Sequence, residues 1–214
     1  MRKKILTALA PVVAIMAFAV LPAMAQASQP VVQVNGAGAA GQQIKAQSGT
    51  LETQANGVII ACEHSELNFV MTSNEQGIVE GGQFSGGGNA DHPSACATNV
   101  GLNADITTNA SANNPWIVHF YAEDEGNVQA QGGNPGTISF TAQLQTTGQV
   151  SVATCTFTAP EVPFTYTQSP EDLQITVAPE TAFFEEVCGG EPAGEGELHG
   201  DFTTSSVGGQ VTVD

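Results

Sequence analysis

Apolar and polar residues alternate with a period of two over much of this chain, and that pattern constrains the fold more than any other feature. Residues 137–144 and 149–158 both alternate, and the polar segment 145–148, which ends in Gly, separates them. Successive side chains of a β-strand point to opposite faces of a sheet, so this period predicts half-buried strands. Two such runs with a short turn between them are typical of a β-hairpin.

Short runs of the same kind recur along the chain, separated by turn residues. We predict about a dozen strands, at residues 57–62, 67–71, 77–80, 102–106, 115–121, 137–144, 149–158, 173–177, 183–188, 198–203 and 210–213. The Gly/Asn/Ser-rich segment 81–95 is predicted to be a long loop, and the region after residue 25 lacks the i, i+3, i+4 stripe of an amphipathic helix. Repeated strands without helices between them predict an all-β fold, an antiparallel β-sandwich of immunoglobulin-like or jelly-roll-like architecture.

The domain organisation follows from where the alternation begins. Residues 49–214 are predicted to form a single β-sandwich domain, preceded by a flexible lead-in at residues 26–48. The small residues at 36–41 are consistent with either a linker or a first strand that docks late. Trp116 lies between Cys96 and Cys155, but Ala153 stands where an antibody-type domain has its corner tyrosine, so only the general architecture is expected.

The first 25 residues have the pattern of a secretory signal peptide. Arg2, Lys3 and Lys4 precede an apolar run, and Ala23 and Ala25 form a small-x-small cleavage site. The alternative is a membrane anchor, but the run is shorter than the roughly 20 residues that a bilayer-spanning helix needs. We therefore expect cleavage after Ala25 and a secreted, extracellular protein.

Cleavage would leave a strongly acidic chain. It removes three of the four cations and none of the 21 acidic residues, so Lys45 alone remains and the formal net charge becomes −20. Such a chain is not expected to bind nucleic acid or anionic membranes, both of which attract Lys and Arg. The acidic residues are spread along the sequence, which favours a role in solubility over association with divalent cations.

Four cysteines follow the predicted signal peptide: Cys62, Cys96, Cys155 and Cys188. An even number of cysteines in an exported chain indicates two disulfide bonds, for which three pairings are open. We favour Cys62–Cys96 and Cys155–Cys188 because they pair sequence neighbours over similar spans. A thiolate metal site is disfavoured, since the cysteines and histidines do not have zinc-ligand spacing.

Several spaced residues resemble a group of secreted, β-rich, disulfide-containing proteins of actinobacterial type that have no assigned activity. They are Ile60 with Cys62, Pro115-Trp116 at the head of a strand, Cys155-Thr156-Phe157, Cys188, and Gly200 with Phe202. The resemblance covers roughly residues 50–213. In that group the closing strands usually carry Tyr where Phe202 and residues 211–213 stand here. The resemblance implies an exported, disulfide-bonded, sandwich-like protein.

Catalytic motifs are absent from the sequence. It contains no G-x-S-x-G or H-E-x-x-H pattern. Ser65 lies between His64 and Glu66, but neighbours on one strand point to opposite faces and cannot form a triad by themselves. The groups Glu63-His64-x-Glu66 and Asp91-His92 could supply metal ligands, although solvated polar residues are the favoured interpretation.

No cofactor is expected, and calcium is the one that the sequence favours if any binds. Glu123, Asp124, Glu125 and Asn127 follow the Trp116 strand, and carboxylate and amide oxygens are the ligands that calcium prefers. A second acidic group comprises Glu191, Glu195 and Glu197. A solvated acidic turn is the favoured alternative for both.

These observations together predict a secreted, non-catalytic protein with a structural or interaction role at the cell surface or in the medium. Protein or polysaccharide is the expected partner. A carbohydrate- or calcium-binding module is the first alternative, and a hydrolase with an unrecognised site is the second. One Trp and two Tyr offer little surface for stacking on sugars, and Trp116 is expected in the core.

Overall fold

The chain folds into β-strands joined by turns. A computed structural model describes residues 31–55, 57–122, 124–131, 136–169, 172–178, 183–189 and 194–214, so the predicted signal peptide and its cleavage site lie outside the described residues. The described strands are β1 Val32–Val34, β2 Ala37–Gly38, β3 Gln43–Ala55, β4 Val58–Cys62, β5 His64–Met71, β6 Gln76–Ser85, β7 Cys96–Thr98, β8 Asn103–Thr108, β9 Trp116–Phe120, β10 Glu125–Ala130, β11 Ile138–Gln145, β12 Ser151–Ala159, β13 Glu161–Gln168, β14 Leu173–Val177, β15 Phe183–Cys188, β16 Gly194–Ser206 and β17 Val211–Val213.

The predicted all-β, antiparallel class is confirmed. Every strand pair in the described residues is antiparallel. The same ranges contain no helix that is long and apolar enough to cross a bilayer. The layer arrangement differs from the expected sandwich of two sheets with free edges, because here the hydrogen-bonded ladder returns to its starting strand.

A long ribbon of β3 and β16 organises the ladder. These two strands pair from Gly196 opposite Ala55 to Ser206 opposite Ile44. Along its other edge, β3 pairs first with β5 and then with β4. Similarly, β16 pairs with β15 through its first residues and with β14 through its later ones. Each half of the ribbon therefore belongs to a different set of neighbours.

The neighbours close into two circuits of eight strands that share the ribbon. The first circuit runs β16-β14-β13-β10-β9-β6-β5-β3, and the second runs β3-β4-β7-β8-β11-β12-β15-β16. Closure leaves few unpaired strand edges, which otherwise tend to pair with other chains. The two circuits lie along successive halves of the same ribbon and enclose one continuous hydrophobic core.

Alternation along the strands fills that core. In β9, Trp116, Val118 and Phe120 are buried while the residues between them are partly exposed. The Trp116 ring meets Phe140 edge-on at 5.3 Å between centroids, an arrangement that aromatic quadrupoles favour. Its indole nitrogen donates to Oδ1 of Asn109 at 2.9 Å, which satisfies the one polar atom of the side chain. The prediction that Trp116 belongs to the core is confirmed.

Both favoured disulfides are present, Cys62–Cys96 and Cys155–Cys188. The first links β4 to β7, and the second links directly opposed residues of β12 and β15. All four strands belong to the second circuit. Covalent cross-linking is therefore concentrated in one half of the molecule.

The described part of the predicted lead-in, residues 31–48, contains strands β1 and β2 and the first residues of β3. β1 pairs with β17 on one side and β2 on the other, and Val32 is fully buried. The long strand β3 begins at Gln43, before the predicted domain boundary at residue 49. Residues 81–85 of the predicted loop continue β6. In that stretch, a Cβ on Gly82 would lie 2.7 Å from the Leu67 side chain, so the missing side chain allows close packing inside the sheet.

Candidate functional site

The outer wall of the first circuit carries a continuous set of ring, aliphatic and amide side chains that we call the Tyr121 face. Their neighbours along each strand point inward to the core, so alternation directs these residues outward. The face comprises Val70 of β5, Gln76 and Ile78 of β6, Ile117 and His119 of β9 with the adjoining Tyr121, Asn127 and Gln129 of β10, and Glu161 and Pro163 of β13.

An aliphatic row crosses this face. Val70 lies opposite Ile78, and Ile78 lies opposite Ile117. Beyond Ile117 the row becomes polar, because Gln129 lies opposite Ile117 and Glu161 lies opposite Gln129. Val70 is exposed and the two isoleucines are partly exposed, so the row offers apolar contact area at the surface.

Hydrogen bonds fix the polar groups beside the row. The Tyr121 hydroxyl donates to Oδ1 of Asn127 at 3.0 Å, and Nδ2 of Asn127 donates to Glu161 at 2.8 Å. Nε2 of Gln129 donates to the same carboxylate oxygen at 3.0 Å. Asn127 is buried by these neighbours although it points outward. The network holds the Tyr121 ring in one orientation while leaving 41% of the residue exposed.

His119 completes an aromatic pair on the face. Its ring stacks on Tyr121 with centroids 5.9 Å apart and planes 8° from parallel, and its Nδ1 lies 3.1 Å from Nε2 of Gln76. Burial lowers the pKa of His119 below its usual value, because a charged imidazole would lose solvation there. The ring is therefore neutral at physiological pH and can present its face to an uncharged ligand.

The Tyr121 main chain is held from inside the barrel. The Tyr166 hydroxyl donates to the Tyr121 carbonyl, and the Tyr166 backbone nitrogen donates to the Asp124 carbonyl at 2.8 Å. Asp124 adopts a left-handed conformation with φ of 61°. Desolvation, and secondarily the charge of Asp124, raises the pKa of Tyr166, so its hydroxyl keeps its proton at neutral pH.

The predicted calcium site overlaps one end of this network. Glu123 lies outside the described residues, whereas Asp124 and Glu125 are exposed. The Asn127 oxygen accepts the Tyr121 hydroxyl, so one of its two lone pairs is already engaged. Within the described ranges, no group of three or more His, Cys, Asp or Glu side chains is placed to hold a metal ion.

The other acidic residues and histidines that the sequence analysis considered for catalysis or metal binding do not come together in one site among the described residues. Ser65 is buried on the inner face, while His64 is exposed, as expected for neighbours on one strand. His92 faces Asp105, with Nε2 3.5 Å from the carboxylate. Glu191 lies outside the described residues, and Glu195 and Glu197 are exposed residues of β16.

Glu66 is the centre of a second polar cluster, on the outer face of β3 and β5. It accepts hydrogen bonds from Asn68 at 2.8 Å, Lys45 at 3.0 Å and Gln47 at 3.1 Å. The Asn68 hydrogen bond and then Lys45 lower the pKa of Glu66. This cluster engages Lys45, the only cation after residue 4.

No known protein family, curated protein or solved structure matches this chain. The resemblance to secreted actinobacterial proteins therefore stays a prediction.

Sequence reasoning did not single out the Tyr121 face. A usable signal was present in the strand at 115–121, because residues 117, 119 and 121 share one face under alternation. The partners of that strand are distant in sequence, however, and they supply Val70, Ile78, Gln129 and Glu161. Only strand pairing brings these residues beside His119 and Tyr121.

Proposed function

We propose that this chain is an exported, non-catalytic interaction protein of the cell surface or medium, and that its Tyr121 face binds a neutral polysaccharide. The observation that carries the proposal is the combination on one face of a stacked aromatic pair, an aliphatic row and hydrogen-bonded amide and carboxylate groups. Sugars present C–H faces that pack on rings and hydroxyls that exchange hydrogen bonds with such planar groups.

Preorganisation of the face supports this ligand class. Tyr121 is fixed by Asn127, which is fixed by Glu161, so few rotamers would have to be frozen when a ligand binds. Side chains that are already ordered reduce the entropic cost of association. The second carboxylate oxygen of Glu161 and the oxygens of the Gln side chains leave acceptors for sugar hydroxyls.

The charge of the chain supports a neutral partner. With one cation against 21 acids after the predicted cleavage, an anionic polymer or a second copy of the chain would be repelled. A neutral polysaccharide avoids this cost. Recognition would then depend on stacking, apolar contact and neutral hydrogen bonds, which the Tyr121 face offers.

Two features support export. The basic, apolar and small-residue pattern of residues 1–25 is typical of a signal peptide. The two disulfides fit an oxidising compartment, where such bonds form and persist.

Binding to insoluble neutral polysaccharides such as cellulose and chitin tests the proposal, with an anionic polygalacturonate as the comparison polymer. The native chain should bind a neutral polymer and not the anionic one. Tyr121→Ala should weaken binding at least about tenfold, which corresponds to about 1.4 kcal/mol. Tyr121→Phe, which keeps the ring, should retain most of the affinity.

Val152→Ala is the control, because Val152 is an exposed residue of the second circuit. Circular dichroism and melting temperature establish that each variant is folded. Equal binding by the native chain and folded Tyr121→Ala, or no binding to any neutral polymer, contradicts the proposal. Release of reducing sugar from the polymer contradicts its non-catalytic part.

A further inference from the structure

A cavity of about 60 Å³ lies inside the first circuit. Each of the eight strands of that circuit contributes at least one lining residue, and Ile138 and Phe140 of β11 close it toward the second circuit. The cavity is therefore surrounded by the wall of the barrel. Within the described residues, a second cavity, lined mainly by side chains of the second circuit, measures about 10 Å³.

The lining is entirely apolar. Aliphatic and aromatic side chains form the whole wall, and no polar surface faces the cavity. Leu67 and Val128 point inward and belong to this lining. Water gains no hydrogen-bond partner from such a wall, whereas an apolar molecule recovers dispersion contacts that the lining atoms otherwise lack.

The size of the cavity limits the ligand. An apolar cavity of ~150 Å³ accommodates benzene or xenon. A space of about 60 Å³ is much smaller. An aromatic ring would therefore have to displace side chains of the close-packed wall, while a single heavy atom or a short aliphatic group would not.

We propose that the interior of the first circuit is a binding site for one small apolar molecule, below the size of benzene. The site is independent of the Tyr121 face, because it uses the inward side chains of the same strands. The class of ligand follows from the lining and the volume alone.

Xenon is the probe, and its binding can be followed by xenon NMR and by the methyl resonances of Leu67, Val128 and Ile175. We expect saturable binding at one site in the native chain, with shifts confined to methyl groups that line the cavity. Benzene at matched concentration should produce no such shifts. Leu198→Ala enlarges the cavity from a position on its wall and should allow benzene to enter.

Val128→Leu is the decisive variant, because it adds one methylene to the wall and should abolish xenon binding. Val70→Leu is the matched control, with the same change on the outer face of the same circuit, and it should bind xenon like the native chain. Retained xenon binding in folded Val128→Leu overturns the proposal, as does the absence of a saturable site in the native chain. Benzene binding by the native chain overturns the assigned size class.

Discussion

The Tyr166 hydroxyl, inside the first circuit, donates a hydrogen bond to the backbone carbonyl of Tyr121, whose ring lies on the outer face. Tyr166 is almost completely buried and packs against Phe120, with ring centroids 5.5 Å apart. Tyr121 is exposed and stacks on His119. One hydrogen bond therefore links the aromatic core to the proposed binding face.

Tyr166→Phe should destabilise the fold by about 1 kcal/mol, since it leaves the Tyr121 carbonyl without this donor in a partly buried setting. Urea denaturation measures the loss. Tyr121→Phe makes the same chemical change on the exposed side, where water can replace the lost hydrogen bond to Asn127, and it should cost less. Equal losses of unfolding free energy in the two variants would show that the Tyr166 hydroxyl stabilises the fold no more than the Tyr121 hydroxyl does.

The fold should lose stability as the pH falls below about 6.5, the usual His value. Burial lowers the pKa of His119, so the unfolded chain takes up a proton in this range while the folded chain resists it. The contribution of neutral His119 to stability is complete above pH 6.5, and it is lost as the pH falls toward the lowered pKa of His119 in the folded chain. Free energies of unfolding measured between pH 7.5 and about 5 reveal the slope.

His119→Gln should reduce that slope, because the group responsible is gone. Val152→Ala, an exposed substitution that removes no titratable group, is the control and should leave the slope unchanged. An unaltered slope in His119→Gln would assign the pH dependence to another group.

Alanine substitution at two glycines of the first circuit should change the stability of the fold in opposite directions. A Cβ at Gly126 would lie 2.3 Å from the Phe164 ring and 2.5 Å from the His119 carbonyl oxygen, whereas a Cβ at Gly81 would meet nothing within 4 Å. Gly126→Ala should destabilise by about 2 kcal/mol or more through overpacking. Gly81→Ala should stabilise by about 0.5 kcal/mol, because Ala has less backbone freedom to lose. Melting curves of both variants test the pair.

The two disulfides should contribute similar entropic stabilisation, but the packing lost when each is removed should differ. Their sequence separations are 34 and 33 residues, for which loop entropy predicts about 3.5–4 kcal/mol each. Cys62 and Cys96 are both fully buried, whereas Cys188 is partly exposed. Replacing Cys62 and Cys96 by Ala should therefore destabilise more than replacing Cys155 and Cys188.

Urea denaturation of the two double variants measures this order, and mass spectrometry of the exported protein establishes that both bonds form. Four free thiols in the exported protein, or a larger loss from the Cys155 and Cys188 pair, would contradict the prediction.

The sequence predicted best where side chains are strongly apolar and partners are close along the chain. The strands at 138–145 and 151–159 and the burial of Trp116 follow from local alternation. It predicted least where inward residues are small or polar. In β3 the inward positions include Ala46 and Ser48, and no strand was predicted at its first residues. In β16 Leu198 and Phe202 supply an apolar signal, so residues 198–203 were predicted and the rest of the strand was not.

By itself the sequence determined the secondary-structure class, because a period of two is a local property that a strand must satisfy to bury one face. Cysteine spacing likewise favoured the two disulfide pairings that the structure contains. Only the tertiary structure decided that β3 pairs with β16 and that the ladder closes in two circuits. Closure also sets the 60 Å³ cavity and the neighbours of Tyr121. Those features depend on contacts between residues far apart in the chain, and local alternation does not specify which strands pair.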